Sequence, residues 1–265
     1  MRDEKPDTVD DYTDWLLSAR KCSTAYLNST YYGNVRDKMK SDFEKSTFWE
    51  DLSQNLNEYN SQYNKKTGCD LFENGAAQYP KYVAELQVKS YDSLLEKSWR
   101  KNIINNAAWP GEPHGGWILP EHWYAKINDI VRTRFVVTYF DGVEFLVNWI
   151  MDACNKLKVK CDPSFESKEE GYYAAHIDIH QNFEILEPNF ITTKIIPARI
   201  EIQIATRLQN CIGEVNHRAY ELRRKKWERP KNGWQWQCNS NEFQINYIGH
   251  FLHYVDGILV NVRDR

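Results

Sequence analysis

No run of eighteen apolar residues occurs in the chain, which excludes a membrane-spanning helix. The opening stretch, MRDEKPDTVDDYTDW, is charged where a secretory signal would carry its apolar segment. These absences predict a soluble, cytoplasmic protein with no membrane partner. CxxC pairs are also missing. Cys22, Cys69, Cys154, Cys161, Cys211 and Cys238 are scattered, which argues against a zinc ribbon or a disulfide framework and for reduced thiols. A net positive charge is lacking as well: 34 Lys and Arg against 37 Asp and Glu leave −3, too negative for indiscriminate binding to polyanions. There is no internal repeat and no low-complexity tract.

What is present is enough for a core: 265 residues, 42% hydrophobic and 14% aromatic. Charge is uneven along the chain. Residues 206–231 carry eight Lys and Arg against three Glu, a local +5, while residues 1–11 carry two basic against five acidic residues, a local −3. A basic stripe on an acidic protein suits a phosphate-rich partner at one face.

Residues 8–31 and 47–64 read as helices. In the second, Thr47 and Glu50 have capping-box spacing, and Phe48, Leu52, Leu56, Tyr59 and Tyr63 form one stripe. KYVAELQVKS reads as strand-like or as a helix-to-strand passage, and YDSLLEKSWRKN as a short basic helix. Residues 107–125, AAWPGEPHGGWILPEHWYA, are too rich in proline, glycine and tryptophan for a regular element and predict a long, aromatic-anchored loop. DIVRTRFVVTY reads as a strand, Asp141-Gly142 as a turn and 143–158 as a helix, followed by strands at LKVKC and HIDIHQNFEI. ARIEIQIAT is the clearest strand, with Ile200, Ile202 and Ile204 on one side and Arg199, Glu201 and Gln203 on the other. A helix with Leu208, Ile212, Val215, Ala219 and Leu222 on its core face follows, and 241–260 forms a last amphipathic helix bearing Phe243, Tyr247, Phe251 and Tyr254. The expectation is an α+β fold: a mixed β-sheet flanked by helices, with a helical N-terminal extension over 1–80, a central domain over 81–231 and a C-terminal helical extension over 232–265.

Several residues could carry chemistry. Asp129 stands where a strand enters the sheet and Glu201 on the polar face of another; two such carboxylates can share Mg²⁺, which takes one or two carboxylates with water and phosphates. Lys89, Ser93 and Lys97 are spaced by four, which on a helix places them on one face suited to a triphosphate. His176, Asp178 and His180 share a strand face, but no further His or Cys lies at ligand spacing for a transition metal. In KEEGYYAAH, a tyrosine after Gly171 in a polar loop makes Tyr172 a stacking platform for a nucleobase.

VKSYDSLLEKSWRK, DIVRTR, KEEGYYAAH, ARIEIQIAT and EVNHRAY follow in the order of the RelA/SpoT-type synthetase domain, which the chain resembles over residues 80–225. The family pattern RxKxxxSxxxK, DxxGxR, GYxxxH, ExQxRT and EH is matched at Lys89, Ser93, Lys97, Asp129, Arg134, Gly171, Tyr172, His176, Glu201, Gln203, Thr206 and His217, with Lys168 upstream of the glycine. The resemblance implies transfer of pyrophosphate from ATP to a ribose 3′-hydroxyl. It gives Asp129 and Glu201 the Mg²⁺, and Glu201 also the attacking hydroxyl. Lys89, Ser93, Lys97 and Arg134 go to ATP, and Tyr172, Gly171, His176, Gln203 and Lys168 to the acceptor. The chain departs from the pattern at Gln87, Arg132, Glu170, Ala205 and Asn216; Ala205 loses a positive charge and Glu170 gains a negative one, and both weaken the fit to a guanosine nucleotide acceptor, whose phosphates need cations. No HD dipeptide occurs, so the hydrolase half of long family members is missing.

The chain most resembles the toxic small alarmone synthetases of toxin–antitoxin and phage-defence systems. That implies an acceptor at the 3′-terminal adenosine of tRNA, blocked aminoacylation and a separately encoded antitoxin, in a monomer or a toxin–antitoxin complex. Arg223, Arg224, Lys225 and Lys226 are then the tRNA-binding candidates, because a duplex stem is bound chiefly through phosphates. Two alternatives stay open: an alarmone synthetase making (p)ppGpp or (pp)pApp, and an inactive module that kept the fold for binding.

Overall fold

The computed structural model of the chain describes residues 4–72, 85–213, 215 and 233–265. In chain order the elements are α1 (Val9–Ser18), α2 (Ser29–Glu44), α3 (Thr47–Thr67), β1 (Gln87–Val88), α4 (Tyr91–Trp99), α5 (Trp123–Lys126), β2 (Val131–Val137), α6 (Phe140–Leu157), β3 (Cys161–Ser167), β4 (Tyr173–Leu186), β5 (Thr193–Thr206) and α7 (Asn241–Arg263). The strands form a mixed five-stranded sheet in the order β1-β2-β5-β4-β3, so the fold is α+β as expected. Among the described residues no helix is long and apolar enough to cross a membrane, and all six cysteines are free thiols.

Several boundaries differ from the sequence reading. Residues 8–31 are not one helix. α1 opens on a Thr8–Asp11 capping box and ends at Ser18, Lys21 turns left-handed (φ 54°), and α2 starts afresh where the Asn28 side chain accepts from Tyr31 N at 2.9 Å. LKVKC is not a strand, because α6 runs to Leu157 and Lys158 closes it left-handed at φ 55°. Asp141-Gly142 is no turn but the first turn of α6. Gly142 lies close to Leu71 and Val137, and Asp141 accepts a bidentate grip from Arg263. Of the helix expected after β5, residues 207–213 are helical and Ile212 is buried, but Val215 is exposed rather than core; Ala219 and Leu222 lie outside the described residues.

The chain forms two compact units. The first comprises residues 1–46, 86–132 and 178–201. Its core gathers Tyr12, Trp15, Leu16, Cys22, Trp99 and Ile103, with Trp109 and Trp117 against them. Polar groups inside it are paired. The Tyr12 hydroxyl meets Ser98 Oγ at 2.7 Å, and Asn102 clamps both backbone groups of Ile118 at 2.9 Å each. Residues 105–119 are thereby tied down as an aromatic-anchored loop, whereas residues 120–125, expected to belong to the same loop, are helical.

The second unit comprises residues 47–85, 133–177 and 202–265. α3 packs along α6, where the Tyr59 and Trp149 rings lie 4.6 Å apart. α7 shows the largest departure from amphipathic expectation. Its buried residues are Asn246, Gly249 and Asp256, while Phe251 (61%) and Tyr254 (67%) of the apolar stripe are exposed. The reason is a close approach of backbones. Gly249 touches Gly171, and a Cβ on Gly249 would meet Gly171 C at 3.0 Å, so only a residue without a side chain fits. Around this contact α7 holds the β3–β4 loop with polar groups: His250 Nε2 on Glu169 O at 2.9 Å, His250 Nδ1 on the Tyr173 hydroxyl at 2.8 Å, and the His253 ring stacked on Tyr173 at 3.6 Å.

Two outcomes follow from this helix. Gly249→Ala is expected to destabilise the chain by about 1–3 kcal/mol, seen as a lower urea midpoint at unchanged m-value, because backbone rather than a side-chain tip blocks the added methyl. Asp256 is fully buried and accepts from Thr206 Oγ1 at 2.6 Å; burial pushes its carboxyl up to about 6, and the Thr206 bond only partly opposes this. An unfolded Asp titrates near 3.8, so the unfolded chain releases this proton first and stability falls as pH rises from 4 to 6. Asp256→Asn cannot ionise. Relative to the parent it should gain stability across that window, reaching roughly 2 kcal/mol at pH 7, and denaturant melts at pH 4 and 7 would check it.

Candidate active site

Asp129 stands in the short helical turn Asn128–Ile130, at φ −95° and ψ 27°, a sparsely used backbone region where active-site residues recur. It precedes β2, the strand that pairs antiparallel with β1 through Gln87–Arg132 and Val88–Val131. Lys89 N donates to Ile130 O at 2.9 Å, which brings Lys89 beside Asp129. The Lys89 carbonyl is held in turn by the Tyr32 hydroxyl at 3.0 Å and by Arg36 at 3.3 Å.

Lys89 therefore owes its place to the sheet. Ser90 is the N-cap of α4, accepting from Ser93 N at 3.2 Å, so Lys89 lies outside the helix and does not share a helical face with Ser93 and Lys97. The cap also engages the Ser93 hydroxyl, which accepts from Ser90 Oγ at 2.9 Å. Lys97 comes from the last turn of α4. Two routes thus deliver two ammonium groups to one carboxylate: Lys89 Nζ to Oδ2 at 2.9 Å and Lys97 Nζ to Oδ1 at 2.8 Å.

Burial would push the Asp129 carboxyl up, but the charges of Lys97 and Lys89 outweigh it and bring it down to about 2. The carboxylate is ionised throughout the physiological range. Burial holds the Lys89 ammonium below its usual range despite Asp129. Oδ1 is buried, with the Lys97 ammonium at 2.8 Å as its charge partner. A buried, ionised carboxylate suits a hard divalent ion.

β5 delivers Glu201. Its isoleucines Ile200, Ile202 and Ile204 are fully buried, and Arg199, Glu201 and Gln203 take the other face, as the alternation requires. β5 is the sheet neighbour of β2, and Lys101 feels the charges of both Asp129 and Arg199. Arg199 of that face lines one cavity with Lys101 and with Asn128, the residue before Asp129. Among the described residues there is no group of three or more His, Cys, Asp or Glu arranged to hold a metal. A divalent ion here would rest on two carboxylates, with water and substrate phosphates completing its shell.

The other residues singled out in the sequence that the structure describes, Arg134, Lys168, Gly171, Tyr172, His176 and Gln203, belong to the second unit. The Arg134 guanidinium donates twice to Gln203 Oε1, at 3.1 and 2.8 Å, and once to Asn210 Oδ1 at 3.2 Å, which fixes its plane. Gly171 takes φ 76° and donates to Lys168 O at 2.9 Å, so residues 168–171 form a tight turn. Gly171 is buried against α7, so it is a packing glycine and not the exposed hinge its polar neighbours suggest. Tyr172 is half-buried. Its hydroxyl meets His176 Nε2 at 2.9 Å, and Lys168 Nζ stands 5.1 Å from the ring centroid. HIDIH is divided among other partners: His176 serves Tyr172, and Asp178 accepts from Asn128 at 2.6 Å and pairs with Arg199 at 3.6 Å. Arg223, Arg224, Lys225, Lys226 and His217 lie outside the described residues.

Sequence reasoning passed over Arg199 and Asn128. Both flank the carboxylates by one or two residues, and the strand alternation that singled out Glu201 points to Arg199 equally well.

No family model matches the sequence, and a search of curated proteins finds no match. Solved structures do match. Small alarmone synthetase 1 from Bacillus subtilis, bound to its product pppGpp, aligns at 17% identity over 86% of this chain and 97% of that one, with a TM-score of 0.51. A second structure of that protein aligns at 15% identity over 81% and 90%, with a TM-score of 0.50. At such identities the likeness is one of fold. The arrangement of helices about the five-stranded sheet matches the fold of the small alarmone synthetases.

Proposed function

We propose that the chain transfers pyrophosphate from ATP to the 3′-hydroxyl of the terminal adenosine of tRNA, and that it acts as the toxin of a toxin–antitoxin pair. The observation that carries the transfer chemistry is the buried Asp129 carboxylate with an ammonium group on each oxygen, at the edge of a synthetase-type sheet. Phosphoryl chemistry asks little covalent help of a protein; it needs charge neutralisation and in-line placement. The acceptor oxygen bonds to the β-phosphorus of ATP, the bond from that phosphorus to the oxygen on the α-phosphorus breaks, and AMP leaves. The proton of the 3′-hydroxyl passes to Glu201. Lys89 and Lys97 offset the charge of the donor phosphates, and Asp129 keeps both ammonium groups in place beforehand. Mg²⁺ held by Asp129 and Glu201 would supply further neutralisation of the phosphates. The fixed guanidinium plane of Arg134 suits stacking on adenine, and the Tyr172 ring suits the acceptor base.

The tRNA acceptor is supported by Glu170 and Ala205, which stand where the family pattern has an asparagine and an arginine, and by the local +5 over residues 206–231. A toxin must be restrained, and the exposed Phe251 and Tyr254 on α7 offer an apolar docking surface for a separately encoded antitoxin. The second reading, a synthetase of (p)ppGpp or (pp)pApp, is favoured by one observation: a protein of the same fold was captured with pppGpp as its product.

Incubating the protein with ATP labelled in its β- or γ-phosphate, bulk tRNA, GDP, GTP and ADP separates the readings. Label should appear on tRNA and aminoacylation should then fail; label confined to small nucleotides selects alarmone synthesis. Glu201→Gln should cut transfer about 10²–10⁴-fold while binding of a non-hydrolysable ATP analogue persists. Equal toxicity of Glu201→Gln and the parent on expression would instead favour a binding module with no catalysis.

A further inference from the structure

The first unit contains a cavity of about 680 Å³ whose wall is built mainly by the 105–118 loop, closed by Lys101, Lys126, Asn128 and Arg199. The volume is far larger than a phosphate needs and falls within the usual range for small-molecule sites. The cavity adjoins the carboxylates. Asn128 is bonded in sequence to Asp129, Arg199 stands one side-chain step before Glu201 on the same face of β5, and Lys101 follows Lys97 by four residues. The Arg100–Ile104 turn is a π-helical turn, an irregularity that often marks functional positions, and it carries Lys101 to the cavity wall.

The lining has the chemistry of a nucleotide site. Ala107, Ala108, Pro113 and Ile118 give a low apolar wall for a base or a sugar, and Asn105 brings an amide. Lys101 and Arg199 bring positive charge, and among the described residues no carboxylate lines the cavity. Asp178 meets Arg199 from outside the lining at 3.6 Å, so Arg199 is held in place without being fully neutralised. Lys126 does a structural task, donating to Gly115 O at 3.1 Å and Trp117 O at 3.0 Å. Glu112 Oε1 accepts from Trp117 N at 2.9 Å, and the Arg20 guanidinium lies over the Trp117 ring at 3.9 Å. The loop is therefore pinned before any ligand arrives, which lowers the ordering cost of binding.

We propose that this cavity holds the nucleotide adjacent to the acceptor adenosine, with the intervening phosphodiester on Lys101 and Arg199. The inference rests on the tRNA reading, because a mononucleotide acceptor has no such neighbour. On the proposed reading the donor's phosphates take Lys89 and Lys97, which leaves the flank of Glu201 to the acceptor. Selectivity for a polynucleotide then comes from filling two adjoining subsites at once.

Binding of a fluorescent trinucleotide ending in adenosine, and separately of a non-hydrolysable ATP analogue, tests this on the full chain. Ala107→Trp obstructs the cavity from an exposed wall position, and Lys101→Met removes charge at matched length. Each should weaken trinucleotide binding about tenfold or more and leave the ATP analogue unaffected. Thermal melts guard against misfolding of the tryptophan variant, and the methionine variant carries the test if that one fails. Parent-like trinucleotide affinity in both variants overturns the proposal even if the parent modifies tRNA. Loss of ATP-analogue binding instead makes the cavity a donor subsite and overturns it too. A parent that acts on GDP and binds no trinucleotide defeats the tRNA reading itself, and this inference with it.

Discussion

The site depends on one buried carboxylate held between two ammonium groups. Taking three charges out of water costs several kcal/mol for each ion, and mutual attraction returns this only when the geometry is close. At 2.8 and 2.9 Å the geometry is close, and the net result is an Asp129 carboxyl well below its ordinary range. Each member answers for the others. Without Asp129 two cations would face each other across a partly dry site, and without either lysine a carboxylate oxygen would lie buried and uncompensated. Such an arrangement is a costly way to stabilise a protein and a direct way to prepare positive charge for a polyphosphate, which is why it reads as function rather than packing.

The elements that deliver this trio explain what was legible beforehand. Ile200, Ile202 and Ile204 alternate so strictly that β5 and the outward placement of Glu201 could be read from the letters, and DIVRTR announced β2 with Asp129 at its entry. Lys89 was misplaced for a physical reason. Its spacing from Ser93 and Lys97 fits a helix, but the Ser90 side chain caps α4 one residue later, and a two-residue strand carries Lys89 instead. A cap is local and readable; that the preceding residue pairs with β2, more than forty positions away, is not. The cavity was hidden similarly. The 107–125 segment declared itself an anchored loop, yet its wall is completed by Arg199, which only the fold brings near.

α7 was the least legible element because its periodicity pointed the wrong way. Phe251 and Tyr254 mark an apolar stripe, and a stripe normally faces the core. Here the contact with the β3–β4 loop is decided by distance of approach. Gly249 lets the helix backbone come down onto Gly171, and at that separation larger side chains have no room, so the buried face is Asn246, Gly249 and Asp256. His250 and His253 then hold Tyr173, the neighbour of Tyr172. The stacking candidate Tyr172 thus sits on a loop fixed from behind by polar contacts, while the greasy face of the helix stays outward among the described residues.

The placement of positive charge along β5 bears on the acceptor. The family pattern has an arginine four residues after the strand glutamate, where this chain has Ala205, buried at 5%. Its cation on that face lies two residues before Glu201 instead, at Arg199, beside the loop-walled cavity. On the proposed transfer, moving the charge from one flank of Glu201 to the other would move the site where an acceptor's phosphate is held. A free guanosine polyphosphate keeps its phosphates on its own 5′ end, as does a nucleotide within a strand, but only the strand continues past that phosphate into another nucleoside. A cation at the mouth of a roomy, carboxylate-free cavity is matched to a phosphate with something attached beyond it.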